Sequence, residues 1–132
     1  MKGEYNIKKV KEIINSFNKT ICIKGNCDSE IDEIVNDFPM IDKLGIISTD
    51  TVDIYITHGH IYNEDNWNIN NSILVYGHYH IPFIKKKNDN FFINPGSISL
   101  PKEDYNPTYL IYDNNRFTIY DIYDNIIDEI KM

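Results

Sequence analysis

His58, His60, His78 and His80 are the four histidines of this chain, and they fall into two H-x-H pairs about twenty residues apart. Imidazole titrates near neutral pH and is the commonest side-chain ligand of metals. Each pair follows an apolar, β-branched run. Val52-Asp53-Ile54-Tyr55-Ile56-Thr57 leads into the first, and Ser72-Ile73-Leu74-Val75-Tyr76 into the second. Each also sets a glycine against a histidine, in Thr57-His58-Gly59-His60 and Gly77-His78-Tyr79-His80. Side chains two apart on an extended backbone point the same way. A pair just past a strand can then aim two ring nitrogens at one point in a cleft, as divalent transition metals require. One H-x-H is a weak sign, because a lone histidine is more often a hydrogen-bonded surface residue than a ligand. Two pairs that together hold every histidine of the chain predict a metal site.

The elements that must position these rings can be read from periodicity. Residues 6–17 repeat apolar side chains at Ile7, Val10, Ile13, Ile14 and Phe17, the spacing of one helical face, with Asn6 as cap. Residues 19–24 read as a buried strand ending at Gly25. Ser29 with Asp32 resembles a capping box for a short helix reaching about residue 35. Residues 44–48 and 52–57 form a predicted hairpin around Thr49-Asp50-Thr51. Residues 63–71, polar around Trp67, read as a short helix or loop. Strands follow at 73–76, 82–87, 91–94, 108–113 and 116–123, with turns at Asn88-Asp89-Asn90 and Asn114-Asn115. The alternating tail 126–130 predicts a last strand. The motifs all fall at strand exits, where ligands bind in open α/β sheets.

Bulk properties narrow the function. The length of 132 residues fits one domain spanning 1–132, and 42% apolar residues can build a real core. A net charge of −7, with Arg116 the sole arginine, argues against a surface that coats nucleic acid. Lys85-Lys86-Lys87 reads as a solvated strand end. The two cysteines, Cys22 and Cys27, match no common zinc-ribbon spacing, and Cys22 within Ile21-Cys22-Ile23 reads as a packed thiol. The chain carries no signal-peptide pattern and no membrane-length apolar run, so the expected location is the cytoplasm, with no membrane partner.

Four blocks then stand in register: Gly25-Asn26-Cys27-Asp28, Thr57-His58-Gly59-His60, Gly77-His78-Tyr79-His80 and Asn94-Pro95-Gly96-Ser97. In order and spacing the chain resembles the calcineurin-like metallophosphoesterases, in particular their small bacterial and archaeal phosphodiesterase branch. The resemblance covers essentially the whole chain. It implies an α/β (α+β) fold, a sandwich of two β-sheets flanked by helices, with a two-metal centre on the sheet rim. It also implies a substrate, a small phosphodiester hydrolysed by a metal-bound hydroxide. By the same resemblance Asn26, His58 and His78 ligate one metal and His80 the other, and His60 lies beside the site. Asp28 holds its loop or orients a neighbour of the substrate. Cys27 stands where many relatives carry the histidine that protonates the leaving group. The Asn-Pro-Gly-Ser turn shapes the loop behind the rim.

One departure from the pattern matters. The family's opening strand-helix-strand supplies an Asp-x-His pair and a Gly-Asp, and neither dipeptide pattern occurs in these 132 residues. The expectation is therefore a fold lacking that first unit and a single metal site, occupied by Mn, Ni, Fe or Zn, where intact relatives hold two. The missing unit would come from an amino-terminal fragment in trans, or its open edge would drive self-association. A second class of function follows from the same absence: a non-catalytic protein-binding module, as this fold serves in the retromer coat.

Overall fold

Short apolar runs punctuated by asparagine-rich turns give strands rather than helices over residues 43–132. The computed structural model describes residues 22–23, 40–41 and 43–132, and every regular element among them is a strand. Two very short strands, β1 (Cys22–Ile23) and β2 (Met40–Ile41), pair in parallel. The helices expected at 6–17 and 29–35 lie outside the described residues, as does the side chain of Cys22.

A five-stranded sheet carries the histidine loops. β3 (Gly45–Ser48) and β4 (Asp53–Thr57) form the expected antiparallel hairpin. Its turn is tied by Thr49, whose backbone N–H and hydroxyl both donate to the Val52 carbonyl, at 3.0 and 2.8 Å. β5 (Ile73–Tyr76), β6 (Pro82–Lys87) and β7 (Asn90–Pro95) complete the sheet in the order β3-β4-β5-β7-β6. The three middle strands β4, β5 and β7 run parallel, so their carboxyl ends share one rim. β6 folds back antiparallel on β7 through a turn in which Asn88 takes φ 57°, the left-handed conformation asparagine tolerates.

The second sheet is an antiparallel meander of β8 (Thr108–Asp113), β9 (Arg116–Asp121) and β10 (Ile126–Lys131). Asn114 and Asn115 both have positive φ, 51° and 61°, as a two-residue hairpin turn of the twisted kind requires. The β-branched and aromatic run predicts β9 as far as residue 123. The strand stops at Asp121 because that carboxylate accepts the N–H groups of Tyr123 and Asn125, at 2.9 and 3.0 Å, and so folds the chain into the next turn.

The core forms where the two sheets face each other: Ile54, Ile73 and Ile93 of the first against Phe117 and Ile119 of the second. The opposite face of the five-stranded sheet buries Leu74, Tyr76 and Phe92, with Tyr55, Trp67 and Phe83 packed on them. Strand β5 is thus apolar on both faces, which is why its sequence reads as an unbroken run rather than an alternation. Trp67 anchors the 58–72 connection through its ring N–H, which donates to the Ser72 hydroxyl at 2.8 Å. That connection holds turns and no helix.

Candidate metal centre

The rim at the ends of β4, β5 and β7 is built from three loops. His58 leaves β4 directly after Thr57, and its ring lies 5.1 Å from that of His60 and 5.1 Å from that of His78, centroid to centroid. The Nδ1 atoms of His58 and His60 are 3.1 Å apart, so one ring donates a hydrogen bond to the other. Coordination of a metal by Nε2 of His58 requires Nδ1–H of His58 to be the donor, with His60 accepting.

Gly59 makes the close approach of the two loops feasible. Its φ of 116° is a conformation side chains rarely adopt, and a Cβ there would stand 3.1 Å from each of the Gly77 carbonyl oxygen, His78 Cβ and Tyr76 Cδ2. The glycine inside the first histidine pair is therefore a packing requirement of the second.

The second pair departs from the extended geometry expected of it. His78 and His80 take positive φ, 69° and 62°. The Tyr79 N–H turns back to the Gly77 carbonyl at 2.8 Å, which makes a γ-turn centred on His78, a tight and strained form. The fully buried Asn94 holds that turn: its Nδ2 donates to the Gly77 carbonyl at 2.9 Å, and its Oδ1 accepts the Gly96 N–H at 2.9 Å. The rings of His78 and His80 consequently do not project in parallel. His78 faces His58, while Nδ1 of His80 donates to the Leu100 carbonyl at 2.9 Å. A carbonyl can only accept, so the proton sits on Nδ1 and neutral His80 keeps its lone pair on Nε2. Metal-bound histidines commonly have this backing bond.

Burial lowers the His78 pKa, and charge on His60, His80 and Lys102 lowers it further, which favours the neutral, ligating imidazole. Among the described residues no three His, Cys, Asp or Glu side chains close a metal shell by themselves. Asn26, Cys27 and Asp28 lie outside the described residues.

The sequence profile of the calcineurin-like phosphoesterase superfamily domain matches residues 3–116. The chain belongs to this superfamily. It is 34% identical over 122 residues to phosphodiesterase YfcE of Escherichia coli K12, a match covering 90% of this chain and 66% of that protein. The chain thus spans just under two thirds of the length of the curated relatives it matches. The solved structure of YfcE, a phosphoesterase from E. coli, superposes with a TM-score of 0.83 at 30% identity, over 94% of this chain and 68% of that one. Vacuolar protein sorting 29 from Cryptosporidium parvum shares the fold, with a TM-score of 0.64 at 21% identity, over 96% of this chain and 77% of that one.

In this member of the superfamily, three contacts at the rim emerge only from the structure. Asn94 acts as a clamp between loops. Leu100 contributes its carbonyl to His80. Tyr79 stands with its ring 5.1 Å from His78 and its side chain out toward solvent. Asn94 opens the Asn94-Pro95-Gly96-Ser97 block whose turn is expected to shape the loop behind the rim, but nothing in the sequence ties it to Gly77. The contact that gives it meaning spans 17 positions.

Proposed function

We propose that this chain carries part of a phosphodiesterase centre, in which Asn26, His58 and His78 hold one divalent metal and His80 is a ligand of a second, and that alone it is inactive or weakly active. The observation that carries the reading is the apposition of the His58 and His78 rings at the ends of two parallel strands, in a chain 34% identical to a phosphodiesterase. The donor chemistry supports it: His78 is favoured neutral, and His80 presents Nε2. Imidazole donors suit Mn, Fe, Ni or Zn better than Mg or Ca. When bound, such a cation neutralises phosphoryl charge and activates water.

The chain's own residues would hold and orient the reactants. His60 fixes the ring of His58 through their Nδ1 contact. Asp28 steadies the loop of Asn26, and Cys27 stands where a proton donor to the leaving group belongs. We assign one metal per chain, to the three-ligand set of Asn26, His58 and His78, with His80 standing apart from it.

The test has a metal arm and an activity arm. Elemental analysis should find about one transition metal per chain, lost in His78→Ala; two tightly held metals would refute the assignment. Hydrolysis of bis(4-nitrophenyl) phosphate with Mn²⁺ is then compared for the chain, for a polypeptide carrying the Asp-x-His and Gly-Asp blocks, and for their mixture. Activity in the mixture that disappears with His58→Ala or His78→Ala supports the reading. Light scattering reads the competing route, self-association of this chain. The other reading is a protein-binding module on the same fold. A stable but inactive mixture would select it.

A further inference from the structure

A cleft of 330 Å³ adjoins the second histidine loop at Tyr79, walled by Tyr76, Tyr79, Ile81 and Phe83 with Asn63, Glu64 and Asp65 at its edge. The loops that carry the histidines also build it. Tyr79 sits between His78 and His80 in sequence, and Asn63 donates through Nδ2 to the Gly59 carbonyl at 3.3 Å. The Tyr79 ring lies 5.1 Å from His78 on one side and 6.2 Å from Tyr76 on the other, and Tyr76 meets Phe83 edge-on at 5.8 Å. An aromatic shelf therefore runs outward from His78.

Two properties of the shelf point to its occupant. The γ-turn at His78 directs Tyr79 outward, where 43% of the residue stays accessible although Tyr76 beneath it is buried. A large aromatic ring held at a cleft mouth and left uncovered is a face for a ligand. The cation at its edge is already paired, and Asp65 adds a negative charge. Glu64 accepts hydrogen bonds from the Tyr76 hydroxyl and from Lys85 Nζ, each at 3.2 Å, and Lys85 lies 4.4 Å over the Phe83 ring. The cleft thus offers a phosphate little attraction, yet offers a flat uncharged ring the exposed face of Tyr79, backed by Tyr76 and Phe83. Its volume sits at the low end of small-ligand sites, about 300–1,000 Å³, which suits one planar ring system.

We propose that this cleft receives a planar aromatic group borne by the phosphoester, an aryl alcohol or a nucleoside, stacked on Tyr79 while the phosphoryl group faces His58 and His78. The phosphoryl half of this inference rests on the phosphoesterase reading; the aromatic half rests on the cleft alone.

Amide NMR titrations of the full chain with Zn²⁺ present separate the two halves. Phenyl phosphate and adenosine monophosphate should each bind on the order of tenfold more tightly than methyl phosphate, the size of one aromatic stacking contact. Both should shift the amides of Tyr79, Ile81 and Phe83. Tyr79→Ala should bring both down to the affinity of methyl phosphate, and Tyr79→Phe should retain the advantage. Whichever of the two binds more tightly identifies the source, aryl or nucleoside. Equal binding of all three phosphates, or an equal loss of all three in Tyr79→Ala, overturns the proposal. Phenol and adenosine extend the test to the cleft without phosphate. If they shift the cleft amides while phosphates bind nowhere near His78, the phosphoesterase reading fails and the cleft assignment stands. If they leave those amides unmoved, the cleft assignment fails by itself.

Discussion

Replacing Asn94 with alanine should cost this protein both stability and metal affinity, and the two losses can be measured separately. The side chain is fully buried and makes two hydrogen bonds of 2.9 Å, to the Gly77 carbonyl and from the Gly96 N–H. Each orphaned buried polar group costs about 1–3 kcal/mol. Gly77 and Gly96 are only half-buried, so water can reach them in part and each cost falls toward the lower end. The expected loss is about 2–4 kcal/mol, a large share of the roughly 5–15 kcal/mol that holds a domain together. With a urea slope of about 2 kcal/mol per molar, the unfolding midpoint should fall by about 1–2 M. The same carbonyl of Gly77 also accepts the Tyr79 N–H. Loosening it should let the His78 turn relax, weakening Zn²⁺ or Mn²⁺ binding by about 10- to 100-fold, as loss of a metal's outer partners does. Asn94→Asp provides a control. It keeps an acceptor for Gly96 and removes the donor to Gly77, so it should be at least as damaging. A midpoint within about 0.3 M of the parent, with unchanged metal affinity, would refute the clamp.

Two further substitutions probe the rim and the second sheet. Gly59→Ala forces a Cβ onto a backbone at φ 116° and within 3.1 Å of Gly77 and His78. It should destabilise by about 1–3 kcal/mol in urea unfolding and weaken metal binding in calorimetry; parent-like values would show that the loops approach differently. Asp121 accepts hydrogen bonds from the Asn125 side chain first, and from the N–H groups of Asn125 and Tyr123 and the Asn106 amide, which lower its pKa. A lowered folded-state pKa gives stability that is present above the ordinary carboxylate value and lost as pH falls through the folded one. Asp121→Asn should therefore be less stable than the parent near about pH 7, and the gap should narrow toward about pH 3. A gap independent of pH would assign the residue a packing role only.

The strands of this protein could be read because local chemistry dictates them. Asn88, Asn114 and Asn115 supply positive φ where hairpins need it, and β5 is apolar throughout because both its faces are covered. The rim was harder. Identity of the histidines and their place at strand exits were legible, as was their convergence between loops. The direction of His80 was not. An H-x-H on extended backbone would aim both rings alike, but positive φ at His78 and His80 turns them apart. The cause lies in Asn94 and Leu100, 17 and 20 positions from their partners, and no local pattern announces a contact of that range. The order β5-β7-β6 was likewise closed to the sequence, because a hairpin inserted between two parallel neighbours leaves no mark on either.

The parallel register of β4 and β5 has a consequence for how this chain can change over time. Thr57 is aligned with Tyr76, so each strand delivers its histidine loop in step with the other. Side chains alternate faces along a strand, and a slip of one residue reverses them all. A single-codon insertion in β4 or β5 would turn Ile54 or Ile73 away from the second sheet, put a neighbour in its place and rotate one histidine away from the other. The same insertion in the Asn88-Asp89 turn would lengthen an exposed loop and leave the register of both strands untouched. Drift in length should therefore collect in the hairpin tips of this lineage, while β4 and β5 keep their residue count as strictly as a reading frame.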